Sequence, residues 1–400
     1  MDFNRIQKEL DYYKKFTPIN FAEERKIFFE HMEKNASYNP VFQYTDTLTI
    51  EDYEDIKEDI KKARGEDEII DAFLDVYLDV ADMMIVWRMG DYKRLCELSG
   101  KIFGSVSDFD INNVAKEYDK LETSPFKSTE IYSHEHIGEK FQEEFKKRNL
   151  AGWVIEYSEA NGGNVSIYET EKKVVIRTGA TETKLGLECL LSHELDGHAF
   201  QAFNAMEHHK YRKWFLSYLG TERQYEGYAT FVEINNLSVL HIADEMAQYF
   251  VFMVATALAK DASFYETCQE VYRLCSDQQF SFFAAYKAKR GFEDTAQPGC
   301  FQKENCYLSG AFEIIGLIEE DTAYYNKLSQ GCFPLSIVRR IPDLQPRWIS
   351  VTHFNRENFD YFKNIMNNIY RSSPKKMVES LNPCLRQAGF TPTKREKNHA

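Results

Sequence analysis

The stretch "CLLSHELDGHAF", residues 189–200, places His193 and His198 five positions apart, with Glu194 directly after the first histidine. It follows "TGATET", whose threonines are typical helix caps, so the sequence predicts that both histidines lie in the second half of a helix that follows a strand. In a regular α-helix, residues five apart are offset by about 140° around the axis, and the two imidazoles would face different directions. A single-turn π-bulge would return His198 to the face of His193, and Gly197 makes that distortion less costly.

These residue types indicate a candidate metal site, because catalytic zinc takes three protein ligands and leaves a fourth position to water. The segment "TERQYEGYATFVEINN", residues 221–236, predicts a second helix in which Glu226 is followed by small residues that allow close helix packing. We take Glu226 as the third ligand, with Glu222 and Glu233 as alternatives on nearby faces. An ordinary helix that carries two histidines with no metal role is the competing interpretation of the spacing alone.

If the trio is correct, the predicted chemistry is metal-assisted amide hydrolysis. Zn²⁺ would polarise a water and a substrate carbonyl, while Glu194, beside the metal but not on it, would take the proton of the water and pass it to the leaving amine. Imidazole and carboxylate ligands favour zinc over magnesium or calcium.

Composition limits the partners and the compartment. The 49 basic and 63 acidic residues give a formal charge of -14, which argues against nucleic acid or an anionic membrane as the main partner. The eight cysteines form no CxxC pair and the amino terminus has no apolar signal core, so we expect a cytoplasmic protein with reduced thiols. The apolar run at residues 246–259 is too short to cross a bilayer and predicts a buried helix.

The 400 residues, 43% of them hydrophobic, can bury one large core or two closely packed lobes. We expect a helical amino-terminal region, 1–125, packed on a catalytic core, 126–390. Aspartates recur at helical spacing within 68–88 and predict a solvated helix face, and a further amphipathic helix is expected at 134–149. The runs "WVIEY", "NVSIY" and "KVVIR", within 153–177, predict a small antiparallel meander.

Several motifs together give the chain a family resemblance. "HELDGH" is similar to HExxxH, "YEGYA" to EEGLA, and "GCFQKENCYLSG" to GxFTKDxVYLxG, while "PINFAEERKIFFEHMEKNASYNPVFQY" is similar to an amino-terminal segment with an NPxFxY pattern. These motifs, over roughly residues 17–340, resemble the tyrosine carboxypeptidase-like zinc peptidases with an HExxxH motif. That family includes the microtubule-associated tyrosine carboxypeptidases, and this chain is similar to its bacterial-type members.

The resemblance implies a zincin-like α+β fold that is mostly helical, with a small antiparallel sheet beside the HExxxH helix. It also implies that His193, His198 and Glu226 bind Zn²⁺ and that Glu194 is catalytic. Where family members place glycine two residues after this glutamate, Asp196 occupies the position.

The matched segment near residue 300 implies substrate-binding residues. A carboxypeptidase must hold a terminal carboxylate with a fixed cation, and it benefits from a donor aimed at the tetrahedral oxyanion. By resemblance, Arg290 and Lys303 are assigned to the carboxylate and Tyr307 to the oxyanion. Tyr225 replaces the first glutamate of EEGLA, so the side-chain preference can differ from that of relatives.

The resulting expectation is a zinc-dependent metallopeptidase, a carboxypeptidase that removes a C-terminal aromatic or large residue from a peptide or protein. An endopeptidase on the same scaffold and a non-catalytic zinc-stabilised interaction protein are the alternatives. The acidic charge disfavours an acidic, tubulin-like tail as the substrate. The sequence indicates no oligomeric state.

Overall fold

The computed structural model describes residues 2–65, 67–122, 130–159, 164–168, 171–342, 346 and 354–371, apart from the side chains of 121–122 and 240–245. The helices are α1 (Phe3–Glu9), α2 (Tyr12–Lys15), α3 (Phe21–Glu33), α4 (Ile50–Lys62), α5 (Glu68–Arg88), α6 (Tyr92–Phe103), α7 (Ile111–Glu122), α8 (His134–Lys147), α9 (Lys184–Leu191), α10 (Phe200–Met206), α11 (Arg212–Phe215), α12 (Glu222–Asn236), α13 (Val239–Ala259), α14 (Phe264–Cys275), α15 (Gln278–Lys289), α16 (Cys306–Glu320), α17 (Tyr324–Leu328) and α18 (Arg356–Ile369). The strands are β1 (Ile131–Ser133), β2 (Val154–Ser158), β3 (Val165–Tyr168), β4 (Lys173–Arg177) and β5 (Thr181–Thr183). A π-helix spans Ser192–Ala199, and 3-10 turns span Val106–Asp108, Lys303–Asn305 and Leu335–Arg340.

The prediction of a mostly helical α+β chain is therefore confirmed. Helix α5 shows how the amino-terminal part forms. Phe73 and Tyr77 are fully buried on one face, while Asp79 pairs with Lys101 at 2.6 Å on the other. The aspartates of this helix thus form the expected solvated, ion-paired face.

The main hydrophobic core draws buried side chains from Phe3 to Tyr370 and includes residues of α5, α12, α13 and α16. It crosses the predicted boundary near residue 125, so the two regions share one core. The boundary itself stays a prediction. Helix α13 contributes Phe250 and Met253, both fully buried, as expected for the apolar run at 246–259. Among the described residues, no helix combines the length and apolarity that a membrane span requires.

The sheet corrects the predicted meander. The three strands lie where the sequence placed them, but their order is β2-β4-β3, and β2 pairs with β4 in parallel. Only β3 and β4 form the expected antiparallel pair. Residues 174–176 of β4 are buried in succession, which suits a central strand covered on both faces, whereas β2 and β3 are more exposed.

A second, smaller sheet was not predicted, and it pairs β1 with β5 antiparallel. Strand β5 ends at Thr183, whose side chain accepts a hydrogen bond from the Gly186 N–H and caps α9. The histidine segment therefore follows a strand and a capped helix start, as predicted.

A second core cluster joins the three-stranded sheet to the histidine segment. It contains Val174 and Ile176 of β4, Phe141 of α8, and Leu195 and Ala199 of the π-helix. The three-stranded sheet therefore packs beside the π-helix that carries the two histidines.

Helices α12 and α16 cross at unusually short range. A Cβ built on Gly227 would lie 2.6 Å from the Gly310 Cα and 2.7 Å from the Ala311 backbone nitrogen. Only glycines allow two backbones to approach this closely. Because Glu226 precedes Gly227 and Tyr307 lies one turn before Gly310, the crossing also brings these two side chains together.

Candidate metal centre

The segment with both histidines is a π-helix, Ser192–Ala199, set between α9 and α10. The predicted distortion is therefore present, and it brings the imidazole rings of His193 and His198 to a centroid separation of 4.7 Å. Both side chains are buried, with 8% and 4% of their surface exposed.

Gly197 allows the π-helix to pack closely against α12. A Cβ at this position would lie 2.7 Å from the Ala229 Cβ and 2.9 Å from its Cα, so the glycine lets the π-helix approach α12. Asp196 accepts two hydrogen bonds from the Arg148 guanidinium, at 2.6 and 2.8 Å. This bidentate ion pair ties the π-helix to the end of α8.

Three predicted ligands converge on one point. Oε2 of Glu226 lies 3.3 Å from Nε2 of His193 and 3.4 Å from Nε2 of His198. One ligand atom from each residue falls within 4.8 Å of the others. Donor atoms bound tetrahedrally to zinc at about 2.0–2.1 Å are about 3.3 Å apart, so this donor set fits Zn²⁺.

The two alternative carboxylates serve different partners. Glu233 is buried two helical turns beyond Glu226, and its Oε1 accepts a hydrogen bond of 2.8 Å from Nδ1 of His193. That contact leaves Nε2 of His193 to face the ligand site, the arrangement by which a carboxylate orients a metal-binding histidine. Glu222 instead accepts a hydrogen bond from the Tyr12 hydroxyl.

The charges of the three residues are set by burial and by their neighbours. Burial lowers the pKa of His198 to about 4. Burial also acts to lower the pKa of His193, but Glu233 and Glu226 outweigh it and hold that pKa well above its ordinary 6.5. Burial acts to raise the pKa of Glu226, but Lys303 and the histidines hold it well below 4.5. His198 and Glu226 thus have the deprotonated forms that ligands require, while His193 would release a proton on binding a metal.

Glu194, the predicted catalytic residue, is half-buried in the π-helix directly after His193. Its carboxylate is close enough to contribute to the raised pKa of that histidine. The structure therefore places an acid beside His193 but outside the set of three candidate ligands.

Lys303 and Tyr307 also reach this site. Nζ of Lys303 lies 3.0 Å from Oε1 of Glu226 and 2.9 Å from the Tyr307 hydroxyl, and that hydroxyl lies 3.2 Å from the same carboxylate oxygen. Lys303 is 4% exposed, so its ammonium group is a fixed, buried cation. The 3-10 turn Lys303–Asn305 and the first turn of α16 position the pair.

Arg290 lies farther out, at the C-terminal end of α15. Its guanidinium donates to the backbone oxygens of Phe16, at 3.3 Å, and Tyr13, at 2.8 Å. The structure therefore places Arg290 against the amino-terminal segment, and Tyr13 lies between it and Lys303.

Two tyrosines near the site were not predicted as functional residues. Tyr225 stacks on the His198 ring, with centroids 3.8 Å apart, and its position directly before Glu226 could have signalled this. Tyr13 reaches the site from α2, and nothing in "DYYKKF" distinguishes it from an ordinary helix residue.

The chain is similar to a known protein family over most of its length. Residues 26–363 match the family of microtubule-associated tyrosine carboxypeptidases, and the chain belongs to that family. It is 25% identical to MATCAP2 of Mus musculus over 189 residues, which are 45% of this chain and 34% of the relative. It is 30% identical to MATCAP2 of Homo sapiens over 138 residues, 32% of this chain and 25% of the relative. Both relatives are named as tyrosine carboxypeptidases only provisionally, and the chain matches about a third or less of their length.

Proposed function

We propose that the protein is a zinc-dependent carboxypeptidase that removes a C-terminal aromatic or otherwise large residue from peptides or proteins. The proposal rests chiefly on the convergence of His193, His198 and Glu226, with Glu194 beside them. Membership of a tyrosine carboxypeptidase family and a sheet beside the π-helix support it. The proposal includes a zincin-like scaffold.

The residues that would hold the metal are His193 and His198, each through Nε2, and Glu226 through its carboxylate. Bound there, Zn²⁺ supplies a Lewis acid for a water and the scissile carbonyl. The hydrogen bond from His193 to Glu233 fixes the imidazole in a productive orientation before binding.

Glu194 is the proposed general base and acid. It would accept a proton from the attacking water and deliver it to the amine that leaves. A positioned side chain in this role contributes about 10²–10⁴-fold to the rate. The Tyr307 hydroxyl would donate a hydrogen bond to the oxygen on which negative charge develops. This hydroxyl already lies within hydrogen-bond distance of the candidate ligand Glu226.

Lys303 is the stronger candidate for binding the terminal carboxylate. It is a buried cation at the ligand site, and the pKa of its ammonium group is held well above the ordinary value by Glu226 in spite of burial. Arg290 is the weaker candidate, because its guanidinium contacts the amino-terminal segment at Phe16 and Tyr13, whereas Lys303 contacts the candidate ligand Glu226 directly.

The proposed substrate is the C-terminus of a peptide or protein in the cytoplasm. The formal charge of -14 disfavours a strongly acidic tail, so we do not propose an acidic microtubule tail as the substrate.

The test compares zinc-loaded wild type with Glu194→Gln on a peptide library, with mass spectrometry of the products and metal analysis of both proteins. The control is Glu188→Gln, which changes an exposed glutamate on α9. Wild type and the control should release single C-terminal residues, and Glu194→Gln should keep the metal and lose about 10²–10⁴-fold in kcat.

Peptides with amidated C-termini separate the alternatives. A carboxypeptidase should cleave the free acid and spare the amide. Internal cuts in both forms would instead show an endopeptidase. Full zinc loading of wild type without cleavage of any peptide would show that the site serves stability or interaction.

A further inference from the structure

A line of aromatic rings runs from the candidate ligands to the surface. Tyr225 stacks on His198, with centroids 3.8 Å apart and planes inclined by 18°. Tyr218 stacks on Tyr225 at 5.5 Å, and Tyr13 meets Tyr218 edge to face at 5.6 Å. We call Tyr13, Tyr218 and Tyr225 the tyrosine ladder.

The ladder reaches the surface at Tyr218, and Tyr13 at its far end is again half-buried. His198 is 4% exposed, Tyr225 and Tyr13 are half-buried, and Tyr218 is 40% exposed. The rings come from α2, from the turn after α11 and from α12, so three separate parts of the chain place tyrosines at one edge of the site. Rings that served only the core would be buried, as Tyr12 and Tyr228 are.

The ladder also meets both candidate carboxylate-binding cations. The Tyr13 ring centroid lies 5.5 Å from Nζ of Lys303 and 5.5 Å from Cζ of Arg290. A terminal residue whose carboxylate is held by Lys303 would therefore have Tyr13 and Tyr218 within reach of its side chain.

We propose that the tyrosine ladder binds the side chain of the terminal residue and sets a preference for planar aromatic side chains over aliphatic ones. Aromatic pairs in offset or edge-to-face arrangements gain attraction beyond that of the area they bury, and an aliphatic side chain gains none of it. This inference rests on the proposed carboxypeptidase function and adds the residues that select the substrate.

The test uses two peptides that differ only in the last residue, tyrosine or leucine. The measured quantity is the ratio of their kcat/KM values for the zinc-loaded protein. Tyr218→Leu keeps apolar bulk but removes the ring, so the ratio should fall by roughly 2- to 10-fold. Tyr218→Phe keeps the ring and should retain the ratio. The control is Tyr157→Leu, because Tyr157 on β2 is 48% exposed, close to the exposure of Tyr218.

Tyr13→Leu gives a second measure on a different segment and should lower the same ratio. A ratio that stays at the wild-type value in both leucine variants would overturn the inference, while release of terminal residues by wild type would leave the proposed function standing. An equal fall of kcat/KM for both peptides would also overturn it, since the ladder would then support the site without selecting. If wild type cleaves neither peptide, the carboxypeptidase proposal fails, and this inference fails with it.

Discussion

Replacing Glu222 with glutamine should remove a pH-dependent loss of stability. Glu222 begins α12, is completely buried and accepts a hydrogen bond from the Tyr12 hydroxyl. Burial is the main cause that raises the pKa of this carboxyl from 4.5 to about 7. The folded protein therefore keeps a proton over a pH range in which the unfolded chain has released it.

The direction and size of the stability change follow from the difference between the pKa values of Glu222 in the folded and unfolded states. Between pH 4.5 and about 7 the folded state binds more protons at Glu222, so the free energy of unfolding falls as the pH rises. At about 1.4 kcal/mol for each pH unit, the whole titration corresponds to about 3 kcal/mol, most of which falls between about pH 5 and about pH 8.

Urea unfolding of metal-free wild type and Glu222→Gln across that pH range measures the effect. The difference in free energy of unfolding between the two proteins should move by about 2–3 kcal/mol in favour of the variant as the pH rises. Glu266→Gln is the control. Hydrogen bonds from Ser263 lower the pKa of this exposed carboxyl, so it is ionised throughout the range and its replacement should have a pH-independent effect. If the difference between wild type and Glu222→Gln is the same at every pH, the reasoning is refuted.

Two further variants test the support of the metal site. Glu233→Gln should weaken zinc binding by about 10- to 100-fold in a chelator competition, because His193 loses the carboxylate that orients it, and unchanged affinity would remove that role. Gly197→Ala should destabilise the protein by about 1–3 kcal/mol in thermal or urea unfolding and weaken zinc binding, since the new Cβ would displace Ala229 of α12. Gly186→Ala on α9 is the control, because its Cβ meets only side-chain atoms of Glu182 and Thr183; an equal effect of both changes would contradict the packing argument.

The site was more predictable than the sheet. Spacing on a helix fixes where a side chain points, so a metal shared by His193 and His198 already implied a π distortion. The order of the strands depends on which partner each one finds. The short runs that form β2, β3 and β4 have the same residue pattern whether the strands pair in parallel or antiparallel. The sequence sign of a central strand was the uninterrupted apolar run at 174–176, whose residues are buried in succession.

Contacts between distant parts of the chain were the least predictable. Tyr12 and Glu222 are 210 positions apart, and Tyr13 contacts Lys303 across a still longer separation. No local pattern reports such a contact, because it depends on how α2 packs on the finished core. Tyr225 was within reach of sequence reasoning, since it directly precedes a predicted ligand.

The backbone crossing of Gly227 and Gly310 has a consequence for how this site can evolve. It fixes the distance between the helix that carries Glu226 and the helix that carries Tyr307 without the help of any side chain. The tyrosine ladder, by contrast, is built from side chains at the edge of the site, where a substitution leaves that crossing untouched. If the ladder selects the terminal residue as proposed, a change of side-chain preference there would leave the spacing between Glu226 and Tyr307 intact.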